Sequence, residues 1–222
     1  MRVDEVVLDT GFVQRWLDEA AAQIHRNRDF LTQLDAAIGD ADHGVNMDRG
    51  FSAARDGVVA GIRSSPGALL DQAGNTLVLR VGGAAGPLFG TALRRAAEAL
   101  GDVEILDGES LLRAMRAGLE GIQRLGAAVE GDKTIVDAYA PAMLAFERGL
   151  RGGRDVTSAA VKAAAAADAG ARATVPMQAR KGRASYLGPR SIGHQDPGAT
   201  STALLFAALA HAVGDRERPS DR

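Results

Sequence analysis

Apolar residues recur at helical spacing through nearly the whole chain, and this pattern limits the possible fold more than any other feature. Phe12, Trp16, Ala20 and Ile24 stand four residues apart, as on one face of a helix. Similar stripes follow further along, and residues 156–173 are so rich in alanine that a helix is their favoured state. Because alanine has little bulk, neighbouring helices can approach this segment closely. The pattern predicts about eight long amphipathic helices.

Several helix boundaries are marked by residues that favour helix ends. Thr10 precedes the first stripe and is predicted to cap its helix, while Ser65 followed by Pro66 predicts a second start. Pro141 lies inside a later stripe, where a proline is expected to kink the helix. The segment 196–200 (DPGAT) is predicted to begin the last helix.

Two short apolar segments, 76–81 and 103–106, are the best strand candidates, but neither has a partner with a matching pattern. The strict alternation and regular turn signals of an all-β fold are also absent from the sequence. We therefore predict an all-α fold in a single domain over residues 1–214. Residues 215–222 are charged and lack an apolar anchor, so we expect a flexible tail there.

The composition excludes several classes of function. The 222 residues include no cysteine, which excludes disulfides, thiolate zinc sites and cysteine nucleophiles. Lys and Arg (26) nearly balance Asp and Glu (28), so no basic field is available to attract nucleic acid or anionic lipid. The first residues lack the apolar core of a signal peptide, and no apolar run reaches the roughly 20 residues of a membrane span. We expect a soluble, cytoplasmic protein.

Three aspartates, Asp35, Asp40 and Asp42, fall within eight residues and are followed by a histidine. On a continuous helix Asp40 would point away from the other two, and Gly39 makes such a helix less favourable. If Asp40 and Asp42 lie on a locally extended segment, their carboxylates project to the same side. Asp35, near the end of the preceding helix, can then turn toward them.

Three ionised carboxylates in one place repel each other. At 4 Å and an effective dielectric near 20, each pair costs about 4 kcal/mol. A hard divalent cation removes that repulsion, and magnesium in particular is held by a few carboxylates together with substrate phosphates and water. The alternative is a solvated turn in which the aspartates cap helices. The crowding of three aspartates and a histidine between two glycines favours the metal site.

Residues 81–91 (VGGAAGPLFGT) resemble a phosphate loop between a strand and a helix. They fail the G-x-G-x-x-G spacing of a Rossmann oxidoreductase, and no lysine follows the last glycine as a P-loop requires. The segment still offers backbone N–H groups near a helix N-terminus, which can bind phosphate. A tight turn between two helices is an equally consistent interpretation.

Residues 126–134 (GAAVEGDKT) differ from a P-loop by one residue inserted before Lys133, and a helix precedes them instead of a buried strand. A Walker fold is therefore excluded. We predict that Asp132 caps the next helix, with Lys133 and Thr134 in its first turn.

Residues 180–200 form a long loop rich in Arg, Lys, Gly and Pro. Loops of this length in compact domains are usually functional or disordered, and the ordering prolines and Tyr186 and His194 favour function. Lys181 and Arg183 are candidates for pairing with phosphate oxygens.

Taken together, five segments carry a family resemblance: LDAAIGDADHGVNM, GGAAGPLFGT, GDKT, RKGRASYLG and GHQDPGAT. In these motifs and their order the chain resembles the nucleotide-binding L subunits (DhaL) and the corresponding C-terminal domains of dihydroxyacetone kinases. The resemblance spans nearly the whole chain. It implies a barrel of eight antiparallel amphipathic helices with ADP or ATP bound at one end.

The resemblance also implies site residues. Asp35, Asp40 and Asp42 match the ligands of two Mg²⁺ ions that bridge to the nucleotide phosphates. The positions that match nucleotide contacts are His43, Gly44, Val45, Asn46, Ala85, Gly86, Gly126, Ile135, Arg183, Asp196, Pro197 and Gly198. Ala85 stands where the family usually has serine, and Ile135 where it more often has methionine. These two differences bear on nucleotide affinity and not on the class of activity.

The activity implied is that of a kinase or phosphotransferase subunit of the glycerone kinase type. Phosphate would pass to a hydroxyl of dihydroxyacetone, or of a related short ketose such as erythrulose, held covalently on a histidine of a separate K subunit. In one version ATP exchanges in each turnover; in the other, ADP stays bound and a phosphotransferase-system M subunit rephosphorylates it. A non-catalytic nucleotide sensor is a further alternative, which the intact aspartate trio argues against. The sequence leaves the oligomeric state open, including a homo-oligomer.

Overall fold

Helices account for almost all regular structure in the computed structural model, which describes residues 7–60 and 65–214. The described residues form nine α-helices: α1 (Thr10–Arg26), α2 (Arg28–Ile38), α3 (His43–Ala60), α4 (Pro66–Arg80), α5 (Ala85–Leu100), α6 (Gly108–Gly126), α7 (Val136–Arg151), α8 (Val156–Ala173) and α9 (Pro197–Gly214). A kinked 3₁₀ helix, Arg183–Ser191, lies between α8 and α9. The all-α prediction is confirmed, and the predicted tail at 215–222 lies outside the described residues.

Neither strand candidate forms a strand. Residues 76–80 belong to α4, where Leu77 is buried and Val78 and Leu79 are exposed. Of the segment 103–106, Leu106 forms an isolated antiparallel bridge with Leu8. A single bridge cannot extend into a sheet here, because α1 and α6 begin within a few residues of it.

Local capping signals identify most helix starts. Ser65 caps α4 by accepting a hydrogen bond from the Ala68 N–H at 3.2 Å, as predicted. The prediction for α1 is wrong, since the cap is Asp9, whose carboxylate accepts the Phe12 N–H at 3.0 Å, and Thr10 is the first helical residue. Both residue types favour this position, and an ionised carboxylate is also favoured by the helix dipole.

Eight of the helices pack side by side in a closed ring. From α3 to α9 each helix contacts the next in the chain, α3 also contacts α1, and α9 packs against α1 to close the circuit. The short α2 lies beside α1, α3 and α9 outside this sequence of neighbours. The packing order is the one expected of an eight-helix barrel.

The helices of the ring pack through apolar side chains, and every fully buried residue of α8 is an alanine. The buried face of α8 consists of Ala159, Ala160, Ala163, Ala167 and Ala171. Its small side chains let α7 approach so closely that a Cβ on Gly149 would lie 2.9 Å from the Ala159 Cβ. Inside the ring, an apolar cavity of about 100 Å³ is lined by side chains without formal charge. In the described part of the chain, no helix has the length and hydropathy to cross a membrane.

The helices alternate in direction, and this alternation decides which chain segments meet. Four helices (α3, α5, α7 and α9) begin at the end of the ring where α4, α6 and α8 finish. The connecting segments at this end contain all the glycine-rich loops that the sequence singles out. Helix α7 continues through Pro141. The kink expected at that residue stays a prediction.

Candidate nucleotide and metal site

A cleft of about 780 Å³ opens at this end of the ring. The first residues of four helices line it: His43, Ala85, Val136 and Pro197. Each helix N-terminus carries partial positive charge, so their convergence favours an anion such as phosphate. The volume lies within the range of pockets that bind small molecules and cofactors.

The three predicted aspartates meet at one wall of the cleft. One ligand oxygen from each of Asp35, Asp40 and Asp42 lies within 4.8 Å of the others. Asp35 is buried at 7% exposure, and its Oδ2 accepts hydrogen bonds from the backbone N–H groups of Asp42 (2.9 Å) and His43 (3.2 Å). The buried carboxylate therefore caps α3, while Asp40 and Asp42 are exposed to the cleft.

We call residues 39–42 the aspartate loop. Two features of its backbone bring the carboxylates together. A Cβ on Gly39 would lie 1.9 Å from Asp35 Oδ1, so a residue without a side chain is needed there. Ala41 has a φ of 62°, in the left-handed region that residues other than glycine seldom adopt. The prediction of a locally extended Asp40–Ala41–Asp42 segment is therefore wrong. The left-handed residue turns the chain between the two aspartates.

The carboxylate trio fits magnesium by ligand type and spacing. All three groups are hard oxygen donors, and two oxygens bound to one Mg²⁺ at about 2.1 Å can stand up to about 4.2 Å apart. The three oxygens, within 4.8 Å of one another, lie close to that range. Arg183 Nη2 lies 3.0 Å from Asp40 Oδ2, so a cationic side chain already approaches the same carboxylate. Repulsion within the trio is thereby reduced before any cation binds.

The loop between α4 and α5 forms another part of the cleft wall. Gly82, Gly83, Ala84 and Ala85 line the cleft. Both interpretations of this segment agree with the structure, because it is a tight interhelical turn that also presents the N-terminus of α5. Gly86 faces away, since a Cβ there would lie 2.3 Å from the Val81 carbonyl oxygen. Its lack of a side chain lets α5 start this close to the end of α4.

Residues 129–134 (the lysine loop) differ from the prediction. Asp132 does not cap α7; its Oδ2 accepts the Val129 N–H at 3.0 Å within the loop. Asp137, on α7 itself, accepts the N–H groups of Gly131 (2.6 Å) and Thr134 (2.7 Å). Lys133 cannot occupy a first helical turn, because its φ of 63° is left-handed. The loop is therefore fixed by buried carboxylates bound to its own backbone.

Two further titratable groups lie beside the cleft, His43 partly buried and Asp196 buried. Burial lowers the pKa of His43, against the opposing charges of Asp35 and Asp42, and its Nε2 lies 3.1 Å from Ser201 Oγ. Burial raises the pKa of Asp196 to about 7, opposed by the Ala199 N–H and the Lys133 charge. Asp196 also caps α9, accepting the Ala199 N–H at 2.7 Å, which agrees with the predicted start of the last helix.

Most of the predicted site residues border this one cleft. Those that line it are Asp35, Asp40, Asp42, His43, Ala85, Gly126, Ile135, Arg183, Asp196, Pro197 and Gly198. Four others do not line it. Gly44 packs on the Arg28 carbonyl, Val45 is half exposed on α3, Asn46 accepts a hydrogen bond from Arg49, and Gly86 packs on Val81. Nucleotide contact by these four stays a prediction.

Lys133 is the residue that the sequence interpretation missed. It is 1% exposed, and its Nζ donates to the backbone carbonyls of Thr174 (2.8 Å) and His194. A lysine beside an aspartate in a glycine-bearing loop is ordinarily solvated, so nothing local distinguishes it. Its carbonyl partners come from distant parts of the chain.

Comparison with known proteins supports a family assignment. Residues 37–211 match the DAK2 domain, and the chain belongs to that family. One relative is the ADP-binding subunit DhaL of PEP-dependent dihydroxyacetone kinase 1 of Listeria innocua, 43% identical over 204 residues, with 90% of this chain and 96% of the relative covered. The DhaL subunit of the PEP-dependent enzyme of Escherichia coli K12 is also 43% identical, over 201 residues, with the same coverage.

A solved structure shows the same fold. The dihydroxyacetone kinase of C. freundii in complex with AMP-PNP and Mg²⁺ superposes with a TM-score of 0.66 at 24% identity. The match covers 95% of this chain and 35% of that one, so this chain spans about a third of the length of that kinase chain.

Proposed function

We propose that this chain is the ADP-binding subunit of a dihydroxyacetone kinase and that it takes part in phosphoryl transfer between a bound nucleotide and a short ketose. The observation that carries the proposal is the aspartate trio, with ligand oxygens within 4.8 Å, in a cleft where four helix N-termini converge. Carboxylates alone would repel a polyphosphate. With Mg²⁺ bound, the same carboxylates form a site that attracts a polyphosphate.

The nucleotide orientation follows from the chemistry of the two walls. Phosphates belong beside the aspartate trio, the Gly82–Ala85 turn and the cationic groups Lys181 and Arg183, which all line the cleft. The apolar side near Leu88, Ile122 and Ile135 suits the base, since these side chains offer contact area without charge. Ala85 lacks the hydroxyl that a serine would offer to a phosphate.

Phosphoryl transfer needs mainly position and charge neutralisation from a protein. Mg²⁺ held by Asp35, Asp40 and Asp42 would supply that neutralisation, and two ions is the number that we propose. The protein's own contribution is orientation: the helix N-termini hold the phosphates, Arg183 approaches them beside Asp40, and the buried Asp35 fixes the aspartate loop. The acceptor hydroxyl oxygen would then bond to the terminal phosphorus of ATP as the bond to the bridging oxygen breaks. ADP is released from the transferred group, and the hydroxyl proton passes to solvent.

The acceptor is proposed to be dihydroxyacetone presented by a separate K subunit, because the cleft is open and its walls supply groups for a nucleotide. We further propose that ADP remains bound and is rephosphorylated by an M subunit of a phosphotransferase system. The two DhaL relatives support this version, because each belongs to a PEP-dependent enzyme. This chain covers nearly the full length of both relatives. An ATP-dependent kinase subunit acting on a triose or tetrulose is the second candidate.

Mass spectrometry of the nucleotide released from freshly purified protein separates these versions. The protein is desalted exhaustively with Mg²⁺ present and then denatured. Stoichiometric ADP supports the cofactor version, whereas an empty site that binds Mg–ATP reversibly supports the ATP-dependent version. A protein that binds neither nucleotide in the presence of Mg²⁺ would contradict the proposed function.

A further inference from the structure

The segment between α8 and α9 covers one side of the cleft and is held at its two ends. It runs from Thr174 to Asp196 and carries Lys181, Arg183 and the 3₁₀ helix. Its ends come close together, since the Gly193 N–H donates to the Val175 carbonyl at 2.8 Å. The segment therefore leaves the body of the protein and returns at nearly the same place, and we call it the covering segment.

The Lys133 ammonium joins both ends of the covering segment. Its Nζ donates to the Thr174 carbonyl at 2.8 Å and to the His194 carbonyl. A lysine ammonium has three donors and can bind several acceptors from different chain segments at once. Because Lys133 itself belongs to the lysine loop, the same group also ties the covering segment to the start of α7.

Two neighbouring hydrogen bonds complete this connection. Thr174 Oγ1 accepts the Asp196 N–H at 2.9 Å and donates to the Ala171 carbonyl at 2.6 Å, so the hydroxyl links α8 to the residue before α9. The Arg180 N–H donates to the Asp132 carbonyl at 3.1 Å, which attaches the covering segment to the lysine loop. Thr174 and Lys133 are both fully enclosed, at 0% and 1% exposure.

The burial of an ammonium group opposes its charged form, and the pKa of Lys133 is lowered for that reason. The charges of Asp196 and Asp137 partly offset this effect. Loss of the ammonium would remove one donor from the buried Thr174 carbonyl, which keeps the Met177 N–H at 3.1 Å, and one from the His194 carbonyl. The loss of both bonds favours states in which the segment separates and water reaches these carbonyls.

We propose that Lys133 is a positioning residue for the nucleotide cleft, acting as a clip that closes the covering segment over the phosphates. The inference rests on the proposed nucleotide function and deepens it. Lys133 lines the cleft, and it acts through the segment that carries Arg183 and through the Asp196–Gly198 turn. The apparent affinity for nucleotide equals the intrinsic affinity multiplied by the fraction of molecules in which the segment is closed. A smaller closed fraction therefore means weaker binding.

The first test is the variant Lys133→Met, which keeps an unbranched side chain as far as Cε and removes the charge and the donors. We expect Mg–ADP to bind about tenfold to a hundredfold more weakly, with most of the change in a faster dissociation rate. In the nucleotide-free protein, hydrogen–deuterium exchange is expected to rise in residues 175–195 while α4 and α5 keep their protection. This second measurement needs no bound nucleotide.

A matched control separates positioning from general loss of stability. Leu17→Ala removes a buried side chain on α1, which does not border the cleft. It is expected to lower the melting temperature without accelerated exchange in residues 175–195 and with nucleotide affinity within about threefold of wild type. Equal changes in affinity and exchange in Lys133→Met and Leu17→Ala would overturn the proposal.

A second pair of variants keeps the test valid if Lys133→Met does not fold. Thr174→Val keeps the side-chain shape and removes the hydroxyl, whereas Thr174→Ser keeps the hydroxyl. Valine is expected to weaken Mg–ADP binding and expose residues 175–195 to exchange, and serine is expected to restore most of both. If the wild-type protein binds Mg–ADP and neither Lys133→Met nor Thr174→Val changes affinity or exchange, the inference is wrong and the proposed function stands. If the wild-type protein binds no nucleotide, the proposed function fails instead.

Discussion

The aspartate loop and the lysine loop contain similar residue types at the same end of the helix ring, yet they present them differently. In the aspartate loop and its neighbour α2, one carboxylate is bound to backbone N–H groups and two are exposed to the cleft. In the lysine loop and α7, the carboxylates of Asp132 and Asp137 are 6% and 5% exposed and accept three backbone N–H groups. The first arrangement leaves oxygens for a cation, and the second uses them to fix the chain.

The difference teaches that the number of acidic residues does not identify a metal site. What matters is whether backbone donors already occupy the carboxylate oxygens. Substitutions in the two loops should therefore have opposite consequences: loss of ligand binding with little change of stability in one, and loss of stability in the other.

The largest effect is expected for Asp40→Asn in the aspartate loop. The change keeps the shape of the side chain and removes one charge from the trio, so Mg²⁺-dependent ADP binding should weaken by more than about a hundredfold, beyond the effect typical of outer-shell changes. Because Asp40 is exposed, the melting temperature should change by no more than a few degrees. Calorimetric titration of ADP with and without Mg²⁺ measures the first effect. Retained Mg²⁺-dependent affinity would remove Asp40 from the metal site.

The matching change beside the lysine loop is Asp137→Asn, at the start of α7. An amide offers one acceptor oxygen where the carboxylate binds two N–H groups, so one buried donor loses its partner. We expect the free energy of unfolding to fall by about 1.5–3 kcal/mol, as for hydrogen bonds to charged groups. Urea denaturation at neutral pH measures this loss, with the exposed Asp168→Asn on α8 as a control. Unchanged stability would show that the loop is held by other contacts.

An effect of comparable size, but spread over pH, is expected for the buried Asp196. Its pKa is raised to about 7 in the folded protein from an ordinary value of 3.8, so the folded state binds more protons than the unfolded state between these values. The contribution of Asp196 to stability therefore falls as pH rises through this window, by about 1 kcal/mol per pH unit.

Asp196→Asn removes that titration and retains an oxygen that can cap α9. Its unfolding free energy, measured in urea at pH 5 and pH 7.5, should decrease less between the two pH values than that of the wild type. Identical pH dependence in the two proteins would place the titration elsewhere.

The smallest effect is expected for Ala85→Ser, which adds a hydroxyl donor at the start of α5 in the cleft. One additional hydrogen bond to a phosphate is worth about 0.5–1.5 kcal/mol, which corresponds to a gain of about threefold to tenfold in ADP affinity. Ala99→Ser, exposed near the other end of α5, is the matched control. Equal affinities of Ala85→Ser and the wild type would indicate that the phosphates lie away from this turn.

Much of the fold and part of the site could be predicted from local sequence. The helical stripes, the Ser65 cap and the start of α9 depend on residues within a few positions of one another. The aspartate trio was also recognisable because its members are close in the chain. Errors arose where a local signal had two solutions, as with Asp9 and Thr10, or where a backbone angle broke the pattern, as at Ala41 and Lys133.

The sequence by itself determined the helices, through a periodicity that is readable over one or two turns, and the crowding of Asp35, Asp40 and Asp42. Only the tertiary structure decided that α9 closes the ring on α1, that Arg183 reaches Asp40, and that Lys133 lies buried under Thr174 and His194. The physical reason is range. A helix is favoured by neighbours in the chain, whereas a buried charge is placed by partners that come together only when the whole ring packs.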